Sequence, residues 1–276
     1  MNNLEFYIRQ GNIVRSSDPG FQESCVGNGL DVMETMWFAN GEIPFFNLHM
    51  QRFENLLRFF GRPWPGEFPP HHEILRLCRR LVNKNKAFMG GWVKGNFHLS
   101  RKKNSFSAGV VPFPDRRFPF IQEGLPAIIS PFVKLSGNPL AGFPLTPDLL
   151  RNAEAFRNDK PVIPLFLNEK GAVTDAADAT LFGIRKNSLV TPSAATGCRR
   201  TLYHDFLLRA AGMTGFQVVE TEDLTLPLLM ECDEIFTLSE ECGFRWITGI
   251  EDKRFVKTQT TLIWKQFLKS SFPGDI

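Results

Sequence analysis

The sequence predicts an α+β chain in two domains, a smaller N-terminal one over residues 1–118 and a larger C-terminal one over residues 119–276. Three observations lead there. Apolar residues near the start alternate with polar ones in short runs broken by Gly-containing turns, as antiparallel strands require. From Asn47 the apolar spacing becomes helical. Asp115, Arg116 and Arg117 between prolines then form the best linker in the chain, which places the boundary near residues 115–125.

Leu4, Phe6 and Ile8, a Gln10-Gly11 turn, then Ile13 and Val14 read as a hairpin. Asp31 to Phe38 runs into Asn40-Gly41 and out through Ile43 to Phe46, and Asn-Gly between apolar runs is a strong hairpin signal. Leu48, Phe53, Leu56, Leu57 and Phe60 follow helical spacing, with Asn47 as N-cap and Gly61 as the stop. A Pro-rich loop precedes a second helix over His71 to Leu81, and residues 87–113 supply two or three strands. Beyond the linker come a strand over Ala127 to Val133, a helix opening at Thr146-Pro147 and a hairpin after Gly171. A helix over Arg199 to Ala211, strands at Phe216 to Val219 and Glu234 to Thr237, and a helix over Thr258 to Leu268 complete the chain.

Composition narrows the function. A formal charge of +3 on 276 residues is too small to argue for nucleic acid or an anionic membrane, so a small-molecule ligand is expected. Five widely spaced cysteines without a Cys-x-x-Cys unit read as reduced thiols and give no metal site. No signal peptide or membrane span is apparent, and a cytoplasmic protein is expected. Twenty-seven phenylalanines against two tyrosines mean bulky core filling without hydroxyls.

The stretch from Gly171 to Arg200 carries the chemistry. Asp175 ends a short strand after the Lys170-Gly171 turn, and the chain returns through Leu181, Phe182 and Ile184, a Lys186-Asn187 turn, and Leu189 to Pro192. Gly197, Cys198, Arg199 and Arg200 open the next helix, where backbone donors and two cations favour an anion. An acid beside an anion cup suggests a phosphorylated cofactor with a basic ring.

This run, Gly-x-Val-x-acid, a small-residue segment, Leu-Phe, x-Leu-x-Thr-Pro and Gly-x-x-Arg, resembles the large domain of the class IV, or fold type IV, pyridoxal phosphate enzymes. These include branched-chain and D-amino acid aminotransferases and aminodeoxychorismate lyase. The first half is similar too, with Gly27-Asn28-Gly29-Leu30, Met33-Glu34-Thr35-Met36, and His49 with Arg52 in a His-x-x-Arg arrangement. The resemblance implies a two-domain α+β fold of the D-amino acid aminotransferase type, a site at the domain interface, a homodimer, and a small anionic or amino acid-like ligand. It also implies pyridoxal phosphate as cofactor, with Arg52 and the Gly197, Cys198, Arg199 turn on the phosphate and Asp175 on the ring nitrogen. On their own residues, Arg52 also reads as a solvated helix charge and Asp175 as an exposed turn acid.

The sequence departs from the family where chemistry is concentrated. The lysine that carries the cofactor falls at Pro144 or Gly142, depending on how the segments are matched, and neither has an amine. Lys134 and Lys160 are the nearest lysines. In Cys232 to Gly243, which resembles the family's second phosphate element, Leu238 stands for a hydroxyl residue and Glu240 for a serine. Two readings follow: a homologue without lysine-dependent catalysis, retained for ligand binding or interaction, or a divergent aminotransferase or aminodeoxychorismate lyase with a displaced lysine.

Overall fold

The computed structural model describes residues 6–9, 11–15, 29–100, 103–141, 143, 145–146, 157, 160–176 and 179–272. The chain forms two compact units, one spanning Met1–Phe118 and Phe143–Pro147, the other Pro119–Gly142 and Asp148–Ile276.

In the first unit the strands are β1 (Phe6–Arg9), β2 (Asn12–Arg15), β3 (Gly29–Ala39), β4 (Gly90–Ser100) and β5 (Ser105–Phe113), with the short Leu145–Thr146 strand added at one edge. They form an antiparallel sheet in the order β2-β1-β5-β4-β3 followed by that short strand. Helices α1 (Phe46–Phe59) and α2 (His71–Lys84) complete the unit. Phenylalanine fills its core: Phe53 of α1 stacks on Phe97 of β4 at 4.2 Å between ring centroids, and Phe97 meets Phe106 of β5 at 4.8 Å.

The Asn40-Gly41 turn forms, with φ of 52° and 78°, but the second strand expected after it does not. Pairing stops at the single bridge Ala39 to Glu42. Pro44 has no N–H to extend the ladder, and Phe45 at φ 61° turns the chain into α1. Asn47 therefore lies inside the first helical turn instead of capping it. At the other end Gly61 takes φ 63°, and its N–H and that of Arg62 donate to Arg58 and Leu57 carbonyls at 2.9 and 2.8 Å, closing the helix as expected.

The second unit holds a nine-stranded mixed sheet. Its strands are β6 (Phe120–Lys134), β8 (Ile163–Asn168), β9 (Val173–Ala176), β10 (Thr180–Arg185), β11 (Ser188–Pro192), β12 (Gln217–Thr221), β13 (Glu234–Ser239), β14 (Gly243–Ile250) and β15 (Lys253–Arg254), β7 being the Leu145–Thr146 strand of the first unit. The order is β12-β11-β10-β13-β14-β6-β8-β9, with β15 beside β14. The helices are α3 (His204–Met213), α4 (Leu226–Met230) and α5 (Thr258–Ser271). Phe182, Phe236 and Phe244 stack across β10, β13 and β14 with centroid separations of 5.2 and 5.8 Å, and Phe267 of α5 closes the row. The buried Glu234 carboxylate accepts the Gln259 and Thr260 amides at 2.7 and 2.8 Å and the Thr260 hydroxyl at 2.7 Å, anchoring the start of α5.

Strands β8, β14 and β15 and helix α4 are additions to the sequence expectation. Thr146, where a helix is expected to open, is strand instead, continuing from Leu145 and paired with β3. Most of the remaining residues of that expected helix, with Gly142 and Pro144, lie outside the described residues, and Arg157 is helical. Among the described residues no helix is long and apolar enough to cross a membrane.

Candidate functional site

In the first unit, Glu34 of β3 meets His49 and Arg52, which the i, i+3 spacing puts on one face of α1. His49 Nδ1 lies 2.7 Å from Glu34 Oε2, and Arg52 donates from Nε to Oε1 at 3.0 Å and from Nη2 to Oε2 at 2.5 Å. Glu34 and His49 are fully buried and the Arg52 side chain is 13% exposed, so Arg52 is no solvated helix charge. Burial alone would push the Glu34 carboxyl up. The Arg52 guanidinium and the His49 ring outweigh it and hold the carboxyl below its ordinary 4.5.

The second unit gathers the acid, a lysine and the glycine turn. Asp175 on β9 is 0% exposed, which removes the reading of an exposed turn acid. Lys134, the last residue of β6, reaches both carboxylate oxygens of Asp175, at 2.8 and 2.9 Å, with its Nζ 5.0 Å from the Phe166 ring centroid. The Arg199 amide donates to Asp175 Oδ2 at 2.8 Å. Burial pushes the Asp175 carboxyl above the usual carboxylate range, against the downward pull of the Lys134 ammonium.

Gly197 has φ 79°, and a Cβ there would come within 2.7 Å of the Leu135 carbonyl oxygen, so only glycine lets the turn lie against the chain next to Lys134. Asn168 fastens that turn, its Nδ2 donating to the Thr196 carbonyl at 3.2 Å.

The helix expected from Arg199 begins five residues later, at His204. The intervening amides have other acceptors. Gly197 donates to the Ala194 carbonyl at 3.1 Å, Cys198 to Thr196 Oγ1 at 3.3 Å, Thr201 to Thr180 Oγ1 at 2.9 Å and Leu202 to Glu240 Oε1 at 2.8 Å. Glu240 and Leu238 are both buried. The Cys198 thiol, turned toward the Ser193 carbonyl at 3.2 Å, is pushed up by burial, which makes it a poor nucleophile. Lys160 is exposed.

Beside the turn, Arg200 Nη2 and His204 Nε2 share Glu220 Oε1 at 2.7 and 2.9 Å. Sequence reasoning missed this cluster because Glu220 is twenty and sixteen residues away from its partners. Burial first, then the Arg200 charge, lower the His204 pKa below the ordinary 6.5. The folded protein therefore keeps this ring neutral while the unfolded chain protonates it, and stability falls as pH drops below about 6.5. Denaturant midpoints measured from pH 7.5 down to pH 5.5 are expected to fall less steeply for His204→Gln than for the wild type; equal slopes would contradict the assignment.

No curated protein matches the chain. Among solved structures it is similar to the branched-chain amino acid aminotransferase of Escherichia coli, at 15% identity and a TM-score of 0.80, over 99% of this chain and 96% of that one. It is also similar to the branched-chain aminotransferase of Thermoproteus uzoniensis with norvaline, at 18% identity and 0.79, over 96% and 93% of the two chains. A Legionella pneumophila protein assigned as a 4-amino-4-deoxychorismate lyase matches at 18% identity and 0.71, over 88% and 96%. The fold is that of the class IV aminotransferases. The family model for amino-transferase class IV matches residues 31–248, and the chain belongs to that family.

Proposed function

We propose that this class IV aminotransferase-like protein has given up lysine-dependent pyridoxal phosphate catalysis and serves as a ligand-binding or interaction homologue, a cytoplasmic homodimer taking a small amino acid-like ligand. The observation that carries the reading is the bidentate Lys134–Asp175 pair. When bound in such enzymes, pyridoxal phosphate supplies an electron sink whose protonated ring nitrogen rests on a carboxylate. Here that carboxylate is already matched by an ammonium from its own chain. The amides at Gly197, Cys198 and Arg199, the donors a phosphate would use, also have internal acceptors. As they stand, these residues do not fit the cofactor.

The pair also bears on the second reading, a divergent aminotransferase or aminodeoxychorismate lyase with a displaced lysine. Lys134 is its natural candidate, being the amine beside the acid. An amine held on the acid at the nitrogen end of the ring cannot at the same time hold the opposite end covalently. The norvaline in the Thermoproteus uzoniensis structure supports the amino acid-like ligand whichever reading holds.

Incubating the purified protein with pyridoxal phosphate, reducing with borohydride and mapping peptides tests this. The expected result is no pyridoxyl-modified lysine. Modification of Lys134 or Lys160 in proportion to a new visible absorbance would establish the enzyme reading instead.

A further inference from the structure

The Gly197–Leu202 turn is a run of backbone donors leading into α3, an arrangement that favours negative charge. Two of its donors meet carboxylates of the chain itself, Arg199 on Asp175 and Leu202 on Glu240, each at 2.8 Å. Charge-assisted bonds of this kind are the strong ones. Glu240 is 3% exposed and is fixed where it stands: it follows the last residue of β13, and the Cys242 amide donates back to Ser239 Oγ at 2.9 Å to make the turn. Leu238 of β13, two residues earlier, pairs with Thr180 of β10. The Thr180 hydroxyl lies 3.3 Å from the Arg199 carbonyl and accepts the Thr201 amide. The end of β13 and the residue just past it, Glu240, therefore lie beside the donor turn.

We infer that Glu240 is a built-in anion for this turn, as Lys134 is a built-in cation for Asp175, and that together they close the charged cluster of the second unit to phosphorylated ligands. The inference rests on the function proposed above and adds to it the class of ligand: one without a phosphate group. A phosphate approaching these amides would have to displace one buried carboxylate and lie against its negative charge. A neutral or zwitterionic ligand would meet no such opposition. The preference is set by Glu240, which holds the Leu202 amide.

Calorimetric titration of inorganic phosphate and of pyridoxal phosphate against wild type, Glu240→Gln and Glu240→Ala tests the inference, with pyridoxal as the control lacking phosphate. Wild type is expected to show no saturable phosphate binding in the millimolar range. Glu240→Gln, which keeps an acceptor for Leu202 but loses the charge, gains affinity. Glu240→Ala, which also releases the amide, gains at least tenfold over wild type, with pyridoxal affinity unchanged throughout. If the alanine variant does not fold, the glutamine variant alone decides. Equal phosphate affinity in wild type and the folded variants would overturn the counter-charge role. That failure is separate from the appearance of a borohydride-fixed lysine, which overturns the loss of lysine chemistry.

Discussion

Lys134→Met is expected to destabilise the protein by about 3–5 kcal/mol at neutral pH, since it leaves a buried carboxylate without its counter-ion. Asp175 is 0% exposed and the Lys134 side chain 16%, so little solvent is at hand to replace the ammonium. The Arg199 amide remains as a donor but carries no full charge. With the ammonium gone, the upward push of burial on the Asp175 carboxyl is opposed only by the weaker pull of Arg199. The folded variant then holds a proton that the unfolded chain loses above about 3.8, and its stability declines as pH rises toward the folded value. Denaturant unfolding at pH 5 and pH 8 is the measurement: the deficit against wild type is larger at pH 8. Adding Asp175→Asn, which keeps an acceptor for Arg199 and removes the charge, recovers most of the loss. A single variant within about 0.5 kcal/mol of wild type at both pH values would show the pair to be solvated like a surface ion pair.

Glu34→Ala is expected to lose a similar amount, about 3–5 kcal/mol, from the first unit. It removes the buried carboxylate that the fully buried His49 and the mostly buried Arg52 share. The wild-type carboxyl is held below its ordinary 4.5, so its contribution is present above that value and disappears as pH falls through the lower, folded one. Wild type should therefore lose stability steeply between about pH 5 and pH 3, and Glu34→Ala should lose less over the same interval. Parallel curves would assign the acid sensitivity to other carboxylates.

The outline of the fold was legible wherever a local signal coincided with the final partner. Gly61 ends α1 because positive φ at a helix stop is a property of one residue and its immediate neighbours. Asn40-Gly41 shows the limit: the turn was readable and the hairpin was not, because the strand that completes β3 is β4, some fifty residues on. The start of α3 was misplaced for a related reason. Residues 199–202 have the composition of a helix opening, but the amides of Arg199, Thr201 and Leu202 are claimed by Asp175, Thr180 and Glu240. At the site, motif spacing pointed to Asp175 and the Gly197 turn, and left their occupants hidden. Lys134 lies 41 residues before Asp175 and Glu240 lies 38 after Leu202, separations across which no periodicity connects side chains.

The sharing of the Asp175 carboxylate between Lys134 and the Arg199 amide also constrains the order in which this sequence can change. A lineage that replaced Lys134 first would pass through a protein with a bare buried charge. One that replaced Asp175 first would leave an ammonium, mostly enclosed, without its partner. Each step is disfavoured unless the other has already occurred, so the two positions are expected to be inherited together. Descendants should carry both or neither, because either single substitution meets a stability cost at its first step.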